Sequence, residues 1–278
     1  MRLFEAIFLW SSIGAYLVSF LLFLSSIVFK AERHIAIGWK VAGLGFILHT
    51  LTILTRWIES GHLPVLWSFE HALAGAWFIM AVFLLLTIRY PVFKTIGVVV
   101  SPVALLTLGY GIMSHSTQTE PLPPPYQSNW LWVHVGFAWI AYGAYHVAAG
   151  LAALYLLKER AVRKRQESIH WFYKKLPEIE TIDDIVFKLI VYGFISHIVM
   201  IGSGAIWAYG LWGRYWAWAP IETWTLVSWL IYGLNIHLRV TYDFTGSRGA
   251  WLAIISLLGV LMFFGGIGFR EGVHTPLL

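Results

Sequence analysis

Eight apolar stretches, separated by short polar turns, organise this chain: 7–29, 36–58, 68–88, 92–112, 130–157, 185–208, 224–242 and 250–268. A helix needs about 20 apolar residues to cross the hydrocarbon core of a bilayer, and each stretch is near or above that length. The pattern predicts an all-α, polytopic integral membrane protein of about eight transmembrane helices. No internal repeat, low-complexity tract or soluble domain interrupts it, so residues 1–278 read as a single membrane domain. The first apolar run lacks a basic leader and a small-residue cleavage site, and is expected to be a retained helix.

The turns carry the orientation. Lys158, Arg160, Arg163, Lys164, Arg165, Lys174 and Lys175 crowd the connection after the fifth stretch, which the positive-inside rule places in the cytoplasm. Counting outward, the turns with Lys30, Arg33 and Lys40, with Arg89 and Lys94, and with Arg239 and Arg248 fall on that same side. Both termini are then external, together with 59–67, 113–129 and 209–223. Pro121, Pro123, Pro124 and Pro125 mark 113–129 as an extended connection.

Composition narrows the class further. Hydrophobic residues make up 59% and charged residues 12%, against about 25% charged in soluble domains. So few charges cannot cover a soluble globule of this size, which excludes most soluble enzymes and nucleic-acid-binding modules. The net charge of +5 resides in the short loops, where it orients the chain in lipid instead of forming a polyanion site. Cysteine is absent, so thiol chemistry must belong to a partner.

Within the external segment 209–224, Trp212, Tyr215, Trp216, Trp218 and Trp224 fall inside 13 residues. An interfacial aromatic belt is the plain explanation, but belts scatter over all helix ends. A platform for a large flat ligand such as a porphyrin is the sharper one, since stacked rings gain about 0.5–1.5 kcal/mol per pair.

Eleven histidines are many for a membrane chain. Counted from the helix ends, His134 and His274 lie near the level of the tryptophan segment. His49, His146, His197 and His237 fall roughly 13–24 Å from the external ends of their spans. Two layers result, an outer pair and an inner set, and either could supply axial ligands to haem iron. His49, His146 or His197 could instead be a hydrogen-bonding helix contact. His34 and His170 are expected to be solvated, and His62 and His115 are external loop residues.

Four stretches together resemble the cytochrome c assembly proteins, nearest to their CcsA/ResC branch. WGRYWAWAPIETWTLVSWLIYGLNIHLR (212–239) is similar to the tryptophan-rich WWD signature followed by LHxR. RWIESGHLPVLWSFE (56–70), WLWVHVGFAWIAYGAY (130–145) and GSGAIWAYGLWG (202–213) resemble three further motifs of that family. The resemblance implies haem handling on the external face. The tryptophan segment would cradle haem through Trp212, Arg214, Tyr215, Trp216, Trp218, Glu222 and Trp224, with His134 and His274 on the iron. His237 would help hold a second haem within the membrane, where His49, His146 and His197 are further candidate ligands.

The implied cofactor is haem b, one external and one within the membrane. The implied partners are membrane lipid and a thiol-reducing subunit that presents the apocytochrome CxxCH, or an external c-type cytochrome. No nucleic acid is implied. The implied location is the bacterial inner membrane or its equivalent.

Two departures stand out. The family's Asp-Pro-Lys-Glu is Ala219-Pro220-Ile221-Glu222 here, which removes an anion and a cation together. His146 and His197 occupy positions that are usually hydrophobic in the family. Both departures leave a second reading open: a di-haem b, quinone-linked electron-transfer subunit on the same scaffold. A haem-free transporter is a third, without the symmetric broken spans expected of repeat-built carriers.

Overall fold

The structure is a computed structural model and describes residues 3–64, 67–114, 117, 121–163 and 171–268. Nine α-helices occur among them: α1 (Leu3–Phe29), α2 (Glu32–Ser60), α3 (Ser68–Arg89), α4 (Gly97–Ser114), α5 (Asn129–Arg163), α6 (Trp171–Lys175), α7 (Ile179–Trp212), α8 (Pro220–Tyr242) and α9 (Gly246–Gly268). Short 3-10 turns cover Pro91–Ile96 and Pro124–Tyr126. No strand occurs among the described residues.

Six segments are long and apolar enough to cross a membrane: α1, α2, α3, the stretch Pro91–Met113, α5 and α7. Helix α8 is not among them. Its 23 residues include Glu222, Thr223, Ser228, Asn235, His237 and Arg239, which dilute its apolar character. Helix α9 runs for 23 residues, Gly246–Gly268.

The chain divides into two compact units, one formed by 1–126 with 157–181 and the other by 127–156 with 182–278. In the first, α1 and α2 form an antiparallel hairpin. The buried residues of α1 are Glu5, Leu9, Ser12, Tyr16, Ser19, Phe23 and Ser26; those of α2 are Ile35, Gly38, Ala42, Gly45, His49, Thr52 and Arg56. Both series step by three and four, the spacing of a coiled-coil seam. The seam mixes small and polar residues with a few large ones such as Leu9, Tyr16 and Phe23, while Phe4, Trp10 and Leu21 face outward. Lipid tails are as apolar as leucine, so close packing and interhelical hydrogen bonds must drive the contact. Ser19 Oγ donates to the Gly38 carbonyl at 2.9 Å, and a Cβ on Gly45 would stand 2.8 Å from the Tyr16 ring. Trp39 and Trp77 tie α2 to α3: Trp39 donates to Thr87 Oγ1 and Trp77 to Thr50 Oγ1, each at 2.9 Å.

In the second unit, Gly193 of α7 makes room for the Tyr145 ring of α5, since a Cβ there would collide with it. Phe194 and Trp229 stack with centroids 4.7 Å apart and bring α7 against α8. At the far end of this contact, Arg239 pairs with Asp183 at 2.7 Å, and Asp183 accepts the Gly246 amide at 3.2 Å.

Two expectations about the polar turns change. Helix α5 runs on to Arg163, six residues past the predicted end of the fifth span. Lys158 is therefore a buried helix residue whose ammonium donates to the Leu176 and Pro177 carbonyls at 3.0 and 2.6 Å. It satisfies two carbonyls of the connection that follows α6 and is not a free loop cation. His34 is likewise half-buried, with Nδ1 2.9 Å from Ser25 Oγ, because it sits in the first turn of α2, packed against the end of α1.

Candidate functional site

The tryptophan segment is only partly a loop. Tyr209 to Trp212 finish α7, residues 213–219 are irregular, and Pro220 to Trp224 already belong to α8. Gly213 and Trp218 both have left-handed backbone, at φ 67° and φ 59°. That conformation is ordinary for glycine and unfavourable for tryptophan, so the surroundings must hold Trp218 in it. They do so through two side chains. Glu222 Oε2 accepts the amides of Ala217 and Ala219, on either side of Trp218, at 2.8 and 3.1 Å. Thr223 Oγ1 donates to the Trp218 carbonyl at 3.3 Å.

The outcome is an outward-facing ring set. Trp218 is 70% exposed, Trp212 and Tyr215 are also exposed, and Trp216 and Trp224 are half-buried. Tyr215 stacks on Tyr209 at 4.4 Å, and Trp216 meets Trp218 edge-on at 5.9 Å. Arg214 is exposed beside them.

Ala219 is the N-cap residue of α8. An aspartate there would accept first-turn amides, and alanine cannot. Glu222, third in the helix, reaches back to the Ala219 amide and supplies half of a capping box, with Pro220 in the first turn. The carboxylate of Glu222 is thus engaged in holding the loop.

His134 lies in a pocket built by α7. Its Nδ1 donates to the Met200 carbonyl at 2.8 Å, a carbonyl that also accepts Ser203 Oγ at 3.0 Å. A Cβ on Gly204 would stand 2.6 Å from Nδ1, and Trp207 flanks the ring at 6.1 Å. The motif residues Ser203, Gly204 and Trp207 therefore surround His134. A proton held on Nδ1 by a carbonyl leaves the Nε2 lone pair for a metal, the usual arrangement around a ligating imidazole.

The remaining histidines separate by environment. His146 is half-buried and its Nδ1 donates to the Tyr142 carbonyl at 2.7 Å, again leaving Nε2 as the acceptor. His237 is exposed on α8, with Nδ1 3.3 Å from Thr241 Oγ1. His49 and His197 are fully buried. Each has Nδ1 near a tyrosine hydroxyl, Tyr16 at 3.3 Å and Tyr145 at 3.5 Å, and an Nε2 without a hydrogen-bond partner. His134, His146 and His237 fit axial ligation, because porphyrin can approach a half-buried or exposed ring. The closed packing around His49 and His197 leaves no such face. His274, His115 and His170 lie outside the described residues.

The two-layer arrangement does not hold for one pair. His134 bonds to Met200, only three residues from His197, so the two imidazoles differ in level by roughly 5 Å. Depth counted from helix ends assumes that the ends are level. Instead α7 continues twelve residues beyond Met200, whereas α5 begins five residues before His134.

The sequence marked Arg56 and Glu70 as motif residues but did not show that they join Glu5 in a buried ion cluster of the first unit. Arg56 is fully buried, with Nε 2.7 Å from Glu70 Oε1 and an Nη 2.8 Å from Glu5 Oε1. It also donates to the Thr117 carbonyl at 3.2 Å and lies over the Phe69 ring at 4.9 Å. Arg56 and Glu70 end the 56–70 motif; Glu5, in the first turn of α1, had no motif to mark it. His62 lies in the loop after α2, as expected, and is buried there with Nδ1 bonded to the Leu63 carbonyl at 2.7 Å. Among the described residues no three His, Asp or Glu converge to hold a bare metal ion.

Comparison with known proteins bears on this arrangement. The family described as "Cytochrome C assembly protein" matches residues 66–274. The cytochrome c biogenesis protein CcsA of Guillardia theta is 31% identical over 93% of this chain and 92% of its own length. CcsA of Chlamydomonas reinhardtii is 31% identical over 92% of this chain and 72% of its own. Among solved structures, the cytochrome c heme lyase CcmF matches 95% of this chain with a TM-score of 0.67 at 15% identity, a likeness of fold. This chain spans about half the length of that protein, 49%. The family match over most of the chain, together with relatives aligned over more than nine-tenths of it, shows that the chain belongs to the cytochrome c assembly protein family.

Proposed function

We propose that this chain handles haem during the maturation of c-type cytochromes, presenting it on the external face of its membrane for attachment to apocytochrome CxxCH. In this reading all eight long helices span the bilayer, both termini are external, and the two compact units act as one membrane domain. Haem is the cargo. Trp212, Tyr215, Trp216, Trp218 and Trp224 form its platform, and Arg214 is the cation available to a propionate. Glu222 holds Trp218 outward. His134 Nε2 ligates the iron, with His274 as the opposite ligand. His237, and His146 in second place, serve haem within the membrane. A thiol-reducing partner brings the apocytochrome, as the absence of cysteine from this chain requires.

The observation that carries the reading is the His134 pocket. Its imidazole has one nitrogen committed to the Met200 carbonyl and its ring seated against Gly204, five residues before the aromatic segment opens at Tyr209. The protein contributes binding, orientation and control of ligation, while the porphyrin vinyls and peptide thiols make the bonds. The electron-transfer reading finds no counterpart in the two CcsA relatives, whose names describe cytochrome c biogenesis.

Pyridine-haemochrome quantitation of the purified chain, followed by a haem chase, tests the proposal. Haem that transfers to an apocytochrome CxxCH peptide supports it. Two tightly held b haems that cycle with quinol and never leave would overturn it.

A further inference from the structure

Helix α8 carries a polar pattern that haem handling does not use. Ser228, Tyr232, Asn235 and Arg239 recur at intervals of four, three and four residues, and so line one face of the helix over about 16 Å. That face is turned inward. Ser228, Tyr232 and Asn235 are buried, and Arg239 is half-buried. An apolar stripe would pack against α7 without dehydrating any polar group, so this face calls for a reason.

Two atoms along it, Asn235 Nδ2 and Tyr232 Oη, are buried with no hydrogen-bond partner, and so is His197 Nε2 on the neighbouring α7. They form a sequence in space. Asn235 lines a cleft with Asp183, Phe187, Ile190 and Arg239, where the Asp183–Arg239 pair stands at 2.7 Å. One turn further along α8, the Tyr232 ring stacks on Tyr145 with centroids 3.4 Å apart. The Tyr145 hydroxyl is 3.5 Å from His197 Nδ1. The column thus runs from the Asp183–Arg239 cleft to Asn235, then to the paired tyrosines, then to the Nδ1 edge of the His197 ring, whose other nitrogen is the unmet one. Buried polar atoms in folded proteins are met by protein partners or ordered water, and three unmet ones in one column point to water.

We infer that the second unit encloses a file of internal water from the Asp183–Arg239 cleft, past Asn235 and Tyr232, to His197, forming a proton path into the membrane interior. Hydroxyl, imidazole and water each both donate and accept, and the Asn235 amide does so through its two ends. The file gives the unpaired nitrogen of His197 a partner in a site that packing closes to porphyrin. It does not depend on haem, and neither readout below requires it.

The first test is X-ray radiolytic labelling of the full chain in lipid nanodiscs, in water enriched in heavy oxygen. Tyr145 and Tyr232 acquire the heavy label although both are buried, whereas Phe83, equally buried but without a polar neighbour in the column, does not. Exposed Tyr215 reports that the dose is sufficient. Asn235→Leu removes the label from Tyr232 and Tyr145 and leaves Tyr215 unchanged. Silence at both tyrosines in the wild-type chain overturns the proposal.

The second test follows deuterium exchange at the His197 ring by solid-state NMR. In Asn235→Leu, or in Tyr232→Phe if the first variant fails to fold, exchange slows by about tenfold or more, because solvent then enters only through local opening. Exchange as fast as in the wild type in a folded variant overturns the path.

Discussion

Gly204 lies against the ring of His134: a methyl group at position 204 would stand 2.6 Å from Nδ1, the atom that donates to the Met200 carbonyl. The helix that carries the GSGAIW motif therefore shapes the histidine pocket by what it omits. Gly204→Ala should push the ring off Met200 and disturb haem ligation. Gly202, two residues earlier, has open space where a Cβ would stand, with nothing within 4 Å, so Gly202→Ala should be nearly silent. The haem-to-protein ratio and Soret spectrum of the two loaded variants make the comparison.

Replacing the proposed ligands should separate two haem populations. His134→Ala and His274→Ala each loosen the external haem and spare the one within the membrane, while His237→Ala does the reverse. Haem content and resonance Raman ligation markers decide it, and unchanged spectra in both outer variants would remove that pair from consideration.

Glu222 is expected to act through Trp218. Glu222→Ala removes both hydrogen bonds that hold the left-handed turn, at a cost of about 1–3 kcal/mol. Glu222→Gln keeps one acceptor oxygen and should be milder. Tryptophan fluorescence of the apoprotein and haem affinity should move together across the two variants.

Ala219→Asp restores a cap to α8 and should raise its stability by about 1 kcal/mol. Adding Ile221→Lys tests the surroundings. A tolerated double variant shows that the site faces water, whereas loss of folded protein would show a closed, apolar pocket. Thermal melts in nanodiscs read both.

Arg56→Leu strands Glu5 and Glu70 in the interior and should cost about 3–5 kcal/mol, enough to abolish folded protein. Glu5→Gln should cost much less, since Glu5 Oε2 already lacks a partner. Arg56→Lys is not conservative, because an ammonium cannot reproduce the guanidinium's divergent donors. Replacing all three with apolar residues of similar size should recover stability lost in Arg56→Leu. Thermal melts and detergent resistance of the purified variants check the order.

Much of the fold was legible because hydropathy is a property of one helix at a time. Each of the eight long helices overlaps a predicted apolar stretch, and boundary errors fall where polar residues stay helical, as at Lys158 and at Pro220 to Trp224. The aromatic segment and His134 were legible too, as dense or polar features in an apolar chain. Glu5 was not. Its partner is 51 residues away, and an acidic residue in the first turn of a helix looks the same whether solvated or buried.

By itself the sequence determined the all-helical membrane character, the aromatic segment and the set of histidines, since these follow from local composition and spacing, while its motifs carried the resemblance to the family. Only the tertiary structure decided that His134 and His197 lie at nearly one level, that His197 is closed while His134 is open at one nitrogen, and that Glu222 braces Trp218. The physical reason is common to these cases. Depth and partnership depend on how far each helix extends past its neighbour and on which distant side chain meets it, and neither quantity is encoded within a single apolar stretch.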